Sequence, residues 1–166
     1  MKKTILMTSL LATLISGTVL ADNSVYPDAN PYFSNGVYIG IQGGALFGRG
    51  YAQGAAQADL GYQFTQNFAI EANVATPISN SVDGAFSSAY AKFLIPFQDK
   101  PVAFYLKGGA TLIGTKLLGY RFHFILPSAG AGVQYALTKH IALDAGYTNI
   151  GGSINLASAG LTFRFA

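Results

Sequence analysis

The charges that fall within the alternating apolar segments of this chain all share one parity. Asp59, Glu71, Lys92, Lys107, Asp144 and Arg164 each sit opposite the large apolar residues of their own segment, three acids against three bases. Successive side chains of a strand point to opposite faces, so every such segment has one apolar face and one face that carries the charge. In water the apolar faces would turn inward and the charges outward. With 51% hydrophobic residues against 10% charged, the inverse arrangement is the natural one: a closed sheet with its apolar face outside and its balanced charges inside.

The first 21 residues stand apart from this pattern. Lys2 and Lys3 form a basic start, residues 5–20 are apolar or small, and Val19-Leu20-Ala21 offers small residues for cleavage before Asp22. This reads as a secretory signal peptide, since the apolar stretch is short for a membrane helix and contains Thr8, Ser9, Thr13 and Ser16. Without Lys2 and Lys3, eight cations face seven anions, a net charge of +1 and no footprint for nucleic acid. The chain has no cysteine, which removes disulfides and thiol chemistry. Beyond the leader, Gly, polar or charged residues interrupt every apolar run, and the 20 glycines also argue for a sheet rather than membrane helices.

From Gly36 onward eight strands are expected, each near the roughly 9–11 residues that a tilted strand needs to cross a bilayer. Strand one, 36–47, turns Val37, Ile39, Ile41, Ala45 and Phe47 outward and Tyr38, Gly40, Gln42 and Gly44 inward. Strand two, 54–64, turns Leu60, Tyr62 and Phe64 outward against Gln57, Asp59 and Gln63, and a polar turn at 65–67 leads into strand three, 68–76, with Glu71 and Asn73 inward. Strand four, 85–95, places Tyr90, Lys92 and Leu94 inside, and strand five begins at Val102 with Tyr105, Lys107 and Thr111 inside. Residues 114–128 read as a tall hairpin. After Pro127 the apolar parity shifts from Phe122, Phe124 and Leu126 to Ala129, Ala131, Val133 and Tyr135, which suggests a proline-marked bulge. Strand seven, 141–147, carries Asp144 inward, and strand eight, 155–165, carries Arg164 inward.

The domain organisation expected is therefore a leader at 1–21, a periplasmic N-terminal tail at 22–35 and an all-β, eight-stranded antiparallel up-and-down transmembrane barrel at 36–166. Three tight turns share one end with both termini, and outward aromatics gather beside it: Phe64, Phe68, Phe93, Phe104, Tyr135, Phe163 and Phe165. They read as an interfacial girdle, with Phe47, Phe86 and Tyr147 as a thinner belt at the other rim.

With these strands in place the chain resembles the small outer-membrane β-barrels of the OmpA type. The sharpest likeness is in the last strand, where Ser158-Ala159-Gly160-Leu161-Thr162-Phe163-Arg164-Phe165 is similar to the polar-x-Gly-x-x-aromatic-x-aromatic signal of such barrels, with Ala166 one residue beyond the usual terminal aromatic. The resemblance implies location in the outer membrane of a Gram-negative cell as a multi-pass barrel among phospholipid and lipopolysaccharide. It also implies delivery by periplasmic chaperones and recognition of Ser158, Gly160, Phe163 and Phe165 by the assembly machinery. No peptidoglycan-binding domain of the kind many OmpA-type proteins carry is expected after Ala166.

The six inward charges lie at similar heights, within about 5 Å along the axis for the first five, and are expected to form one network plugging the narrow lumen. A structural envelope role without turnover, in a monomer, is the leading expectation; alternatives are a narrow gated pore, in which charge pairs exchange partners, and a surface adhesin acting through the outer loop at 114–124. His123 and Ser128 invite a hydrolase reading, but no acid stands at their height, and neither His123 nor His140 has a metal-ligand companion. No cofactor is expected. A soluble ligand-binding barrel of the same strand count would need polar outward faces, which these segments lack.

Overall fold

The computed structural model describes residues 30–48, 50–78, 84–117 and 120–165, with side chains at 84 and 115–122 outside that description. The leader at 1–21, positions 22–29 of the tail and Ala166 therefore lie outside the described residues. Eight strands follow in chain order: β1 (Gly36–Gly48), β2 (Tyr51–Thr65), β3 (Phe68–Pro77), β4 (Gly84–Pro96), β5 (Val102–Leu117), β6 (Tyr120–Ala136), β7 (Ile141–Ile150) and β8 (Ile154–Phe165). Each pairs antiparallel with the next and β8 returns to β1, so the sheet closes into a barrel without edges. The all-β up-and-down architecture expected from the alternation is the one observed.

Several strands run further toward the outer rim than the sequence suggested. Pairing continues to Gly48↔Tyr51 between β1 and β2 and to Ile150↔Ile154 between β7 and β8, because a closed ladder satisfies backbone groups that a loop would leave to solvent. The tall β5–β6 hairpin brings Lys116 and Arg121 into register as a pair, so the strands hold two charges beyond the six inward ones.

The bulge expected at Pro127 is absent. The β5–β6 register runs unbroken from Val102↔Tyr135 to Leu117↔Tyr120, and β6–β7 runs unbroken from Ser128↔Ile150 to Ala136↔Ala142. The parity shift has another cause: Leu126 lies on the inward parity and packs against an apolar cluster at the outer end of the lumen, while Ile125, 74% exposed, takes the outward one. The register shift that does occur lies between Gln63 and Thr65 of β2, beside the β2–β3 turn. There the Thr65 hydroxyl accepts from the N–H groups of Asn67 and Phe68, and Thr138 does the same for His140 and Ile141 in the β6–β7 turn.

Two apolar clusters cap the lumen. One, at the end where β1 begins and β8 ends, contains Phe33, Tyr38, Leu94 and Tyr105; the other, at the opposite end, contains Leu46, Phe86, Ile150 and Leu156 with Ile113, Leu126 and Ile154 against it. Phe86 is thus 6% exposed and inside, not part of an outer belt, since the lumen at this level is filled by hydrocarbon rather than by polar groups. Phe47 and Tyr147 remain together outside, their rings 6.1 Å apart.

Candidate functional site

Between the caps lies the charged layer. All six residues singled out in the sequence point into the lumen and are less than a tenth exposed. Glu71 is the hub: Lys92 Nζ donates to Oε2 at 2.9 Å, Lys107 Nζ to Oε1 at 3.3 Å and the Tyr38 hydroxyl to Oε2 at 2.9 Å. Lys92 also stands 3.7 Å from Asp144, whose other contacts are the Tyr105 hydroxyl at 2.9 Å and Gln134 Nε2 at 2.6 Å. The two lysines are directly opposite each other on β4 and β5, a repulsive pair in a sheet, and Glu71 on β3 neutralises both.

The six charges do not meet in one ion-paired network. Arg164 joins only through Gln134, donating to its Oε1 at 2.8 Å while Gln134 donates onward to Asp144. Asp59 is separate, taking hydrogen bonds from Asn73 Nδ2 at 2.5 Å, Gln42 Nε2 at 2.7 Å and Gln57 Nε2 at 2.8 Å, with no cation within ion-pair distance among the described residues. Three amide donors substitute for a counter-ion, as a buried carboxylate requires. Gln57 Oε1 is buried without a partner among the described residues, so an amide in place of the Asp59 carboxylate could donate to it. Asp59→Asn is accordingly expected to cost only about 1 kcal/mol in urea unfolding.

Three tyrosines absent from the sequence-based list complete the layer. Tyr38 faces Gly61, Tyr90 faces Gly109 and Tyr105 faces Gly132 across neighbouring strands. A Cβ at Gly61 would lie 2.2 Å from the Tyr38 ring and one at Gly132 2.4 Å from Tyr105, so these glycines make the space into which the rings fold. The rings in turn support the lysines, with Lys92 Nζ 4.1 Å from the centroid of Tyr105 and Lys107 Nζ 4.7 Å from that of Tyr90. Tyrosine and glycine on the same inward parity of adjacent strands was the signal available in the sequence; the cross-strand register needed to pair them was not. Above the charges, the hydroxyls of Ser88, Thr111 and Ser128 join in a chain with 2.9 Å links.

Ser128 is thus inside the lumen, while His123 falls on the opposite parity of β6 and is exposed, so the two do not form a nucleophile and base. His140 sits in the β6–β7 turn, its Nδ1 3.3 Å from the Arg164 carbonyl oxygen. Among the described residues no group of His, Cys, Asp or Glu side chains is arranged to hold a metal.

Outside, Phe64, Phe68, Phe93, Phe104, Tyr135 and Phe165 are each more than 40% exposed and ring the terminal end, with Phe163 half-buried among them. Phe68 pairs with Phe93, and Phe64 lies 5.9 Å from Phe68. On β8, Phe163 and Phe165 face outward, Ser158 donates from inside to Gln42 Oε1 at 2.6 Å, and Gly160 permits close approach of β1, where a Cβ would meet the Ile41 oxygen at 2.1 Å. An apolar hollow of about 450 Å³ between Val37, Leu60, Tyr62, Ile70, Ala72 and Ala89 is on the outer wall, not in the lumen.

A closed eight-stranded barrel with ion pairs inside, aliphatic and aromatic side chains outside and an aromatic ring at one end is a transmembrane β-barrel of the outer-membrane type. No family model and no curated protein matches the chain. Solved structures share its fold: the N-terminal β-barrel domain of Pseudomonas aeruginosa OprF superposes with a TM-score of 0.65 at 15% identity, covering 80% of this chain and 100% of that one. Neisserial surface protein A is similar at TM-score 0.58 and 20% identity, over 78% of this chain and 97% of its own. Ail, the attachment invasion locus protein of Yersinia pestis, is similar at 0.51 and 19%, over 79% and 97%. The likeness to OmpA-type barrels read from the sequence is thus present at the level of fold.

Proposed function

We propose that this outer-membrane barrel is a closed, monomeric structural element of the envelope, without enzymatic turnover, set among phospholipid and lipopolysaccharide. The observation that carries the reading is a lumen whose hydrogen-bonded and ion-paired charged layer lies between two apolar clusters. The gap bounded by Tyr38, Gln63, Lys92, Leu94, Gln134 and Arg164 is too small to admit water, and the outer cluster of Leu46, Phe86 and Leu156 closes the other end. In the same reading residues 1–21 are the cleaved leader, and Ser158, Gly160, Phe163 and Phe165 form the signal that the assembly machinery reads after chaperone delivery.

Purified protein in planar bilayers is expected to give no stepwise conductance while running as a heat-shifted band on gels. Steady conductance abolished by Lys107→Ala would replace this reading with that of a narrow pore.

A second reading, surface interaction, is favoured by one feature. Among the described residues the β5–β6 hairpin rises past its neighbours, since β4 pairs as far as Gly84↔Thr115 and β7 as far as Ile150↔Ser128. Loss of host-cell or matrix binding when residues 114–120 are replaced by a short turn would establish it.

A further inference from the structure

A stretch that the alternation never marked closes the inner mouth of the barrel. Asn30, Pro31, Tyr32 and Phe33 form a turn in which the Phe33 N–H donates to the Asn30 carbonyl at 3.1 Å and the Tyr32 N–H to Asn30 Oδ1 at 3.0 Å. Asparagine at the first position and proline at the second suit such a turn, because the amide caps the backbone and the ring presets φ. The turn is fastened from around the rim. Asn30 Nδ2 donates to the carbonyls of Phe97 at 2.7 Å and Lys100 at 3.1 Å in the β4–β5 connection, and Gln66 Oε1 of the β2–β3 turn accepts from the Asn30 N–H at 3.1 Å. From β8, Arg164 donates to the Tyr32 carbonyl and lays its guanidinium 4.6 Å from the centroid of the Phe33 ring. Phe33 itself is 1% exposed, packed in the cluster that contains Tyr38, Leu94 and Tyr105.

The two ends of the lumen are therefore sealed by different means. The outer seal consists of side chains whose backbone is held in paired strands. The inner seal adds to the strand-borne Tyr38, Leu94 and Tyr105 a segment that pairs with no strand and is held by side-chain-to-backbone hydrogen bonds and one stacked ring. Segments of that kind open at a fraction of the global unfolding free energy. Arg164 marks the consequence of opening. It has no carboxylate within ion-pair distance among the described residues, its Nε is unpartnered there, and of its side-chain contacts to Tyr32, Phe33 and Gln134 two belong to the turn.

We propose that the Asn30–Phe33 turn is a removable cork, which leaves the mouth while the barrel stays closed and admits water and small polar solutes from the periplasm as far as the charged layer. This goes beyond the closed-lumen reading and fails separately from it, since one-sided entry needs no passage through the outer seal.

The chain has no native cysteine, so accessibility is readable with single introduced thiols. Leu94→Cys would sit beneath the cork and Leu46→Cys in the outer seal, both 1% exposed in the parent. In nanodiscs, a charged water-soluble thiol reagent is expected to modify both slowly. In Phe33→Ala, and separately in the milder Asn30→Ala, modification of Leu94→Cys is expected to accelerate roughly tenfold or more while Leu46→Cys stays slow and the heat-shifted band is retained. Asn30→Ala carries the test should Phe33→Ala fail to fold. The proposal is overturned by no acceleration in a folded variant, by equal acceleration of both thiols, or by a Leu94→Cys that already reacts freely in the parent.

Discussion

Glu71→Ala is expected to destabilise the folded barrel by roughly 3–5 kcal/mol, the cost of stranding buried charge. Lys92 and Lys107 face each other across β4 and β5, and their shared carboxylate is what makes that juxtaposition tolerable. Without it Lys92 keeps only Asp144 at 3.7 Å, and Lys107 has no acid within ion-pair distance among the described residues. The Tyr38 hydroxyl loses its acceptor as well. The double variant Glu71→Leu, Lys107→Met is expected to recover part of the loss, because it removes Lys107 with its acid and the repulsion between the lysines, while Lys92 still has only Asp144 at 3.7 Å. Urea unfolding in lipid vesicles, followed by circular dichroism, measures these differences. A loss below about 1 kcal/mol for Glu71→Ala would mean that water reaches the lysines and that the lumen is not the dry, partnered interior described above.

The second large effect belongs to the outer wall. Leu60→Arg is expected to cost about 2–4 kcal/mol, since Leu60 lies between Ile39 of β1 and Ala72 of β3 on the outward parity, well away from both rims. An arginine there has acyl chains around it and no partner across either strand. Val133→Arg on β6, beside the girdle residues Phe104 and Tyr135, is expected to cost less, and Gln98→Arg in the exposed β4–β5 turn is expected to be neutral. The measurement is the fraction of protein that reaches the heat-shifted, membrane-inserted form. Equal yields for Leu60→Arg and the parent would show that this face meets water.

What was legible in the sequence follows from a local rule. Asp59, Glu71, Lys92, Lys107, Asp144 and Arg164 point inward because strand alternation has a period of two and needs no knowledge of neighbours. The same rule misled at the outer end of the lumen. On the premise that apolar means lipid-facing, Phe86 turns outward and Leu126 implies a bulge, yet both help to fill the apolar cap at the outer end of the lumen. The premise fails wherever a barrel interior is itself packed with hydrocarbon.

Partnership was not legible. That Glu71 takes both lysines, that Asp59 is held by three amides and that Arg164 reaches Asp144 only through Gln134 depend on which residues stand at one height. Register between strands sets that height, and each hairpin contributes to it. The Asn30–Phe33 turn was equally hidden, because its anchors are the carbonyls of Phe97 and Lys100 and the ends of Gln66 and Arg164, brought to one rim by closure alone.

The sequence by itself determined the strand count, the antiparallel order and the inward face of the six charged residues, since these rest on short-range periodicity and on lipid's demand that backbone groups be paired. Only the tertiary structure decided which charges neutralise one another, which glycines receive a tyrosine ring and what seals each mouth. Those contacts join residues tens of positions apart, and their geometry exists only once β8 has closed on β1.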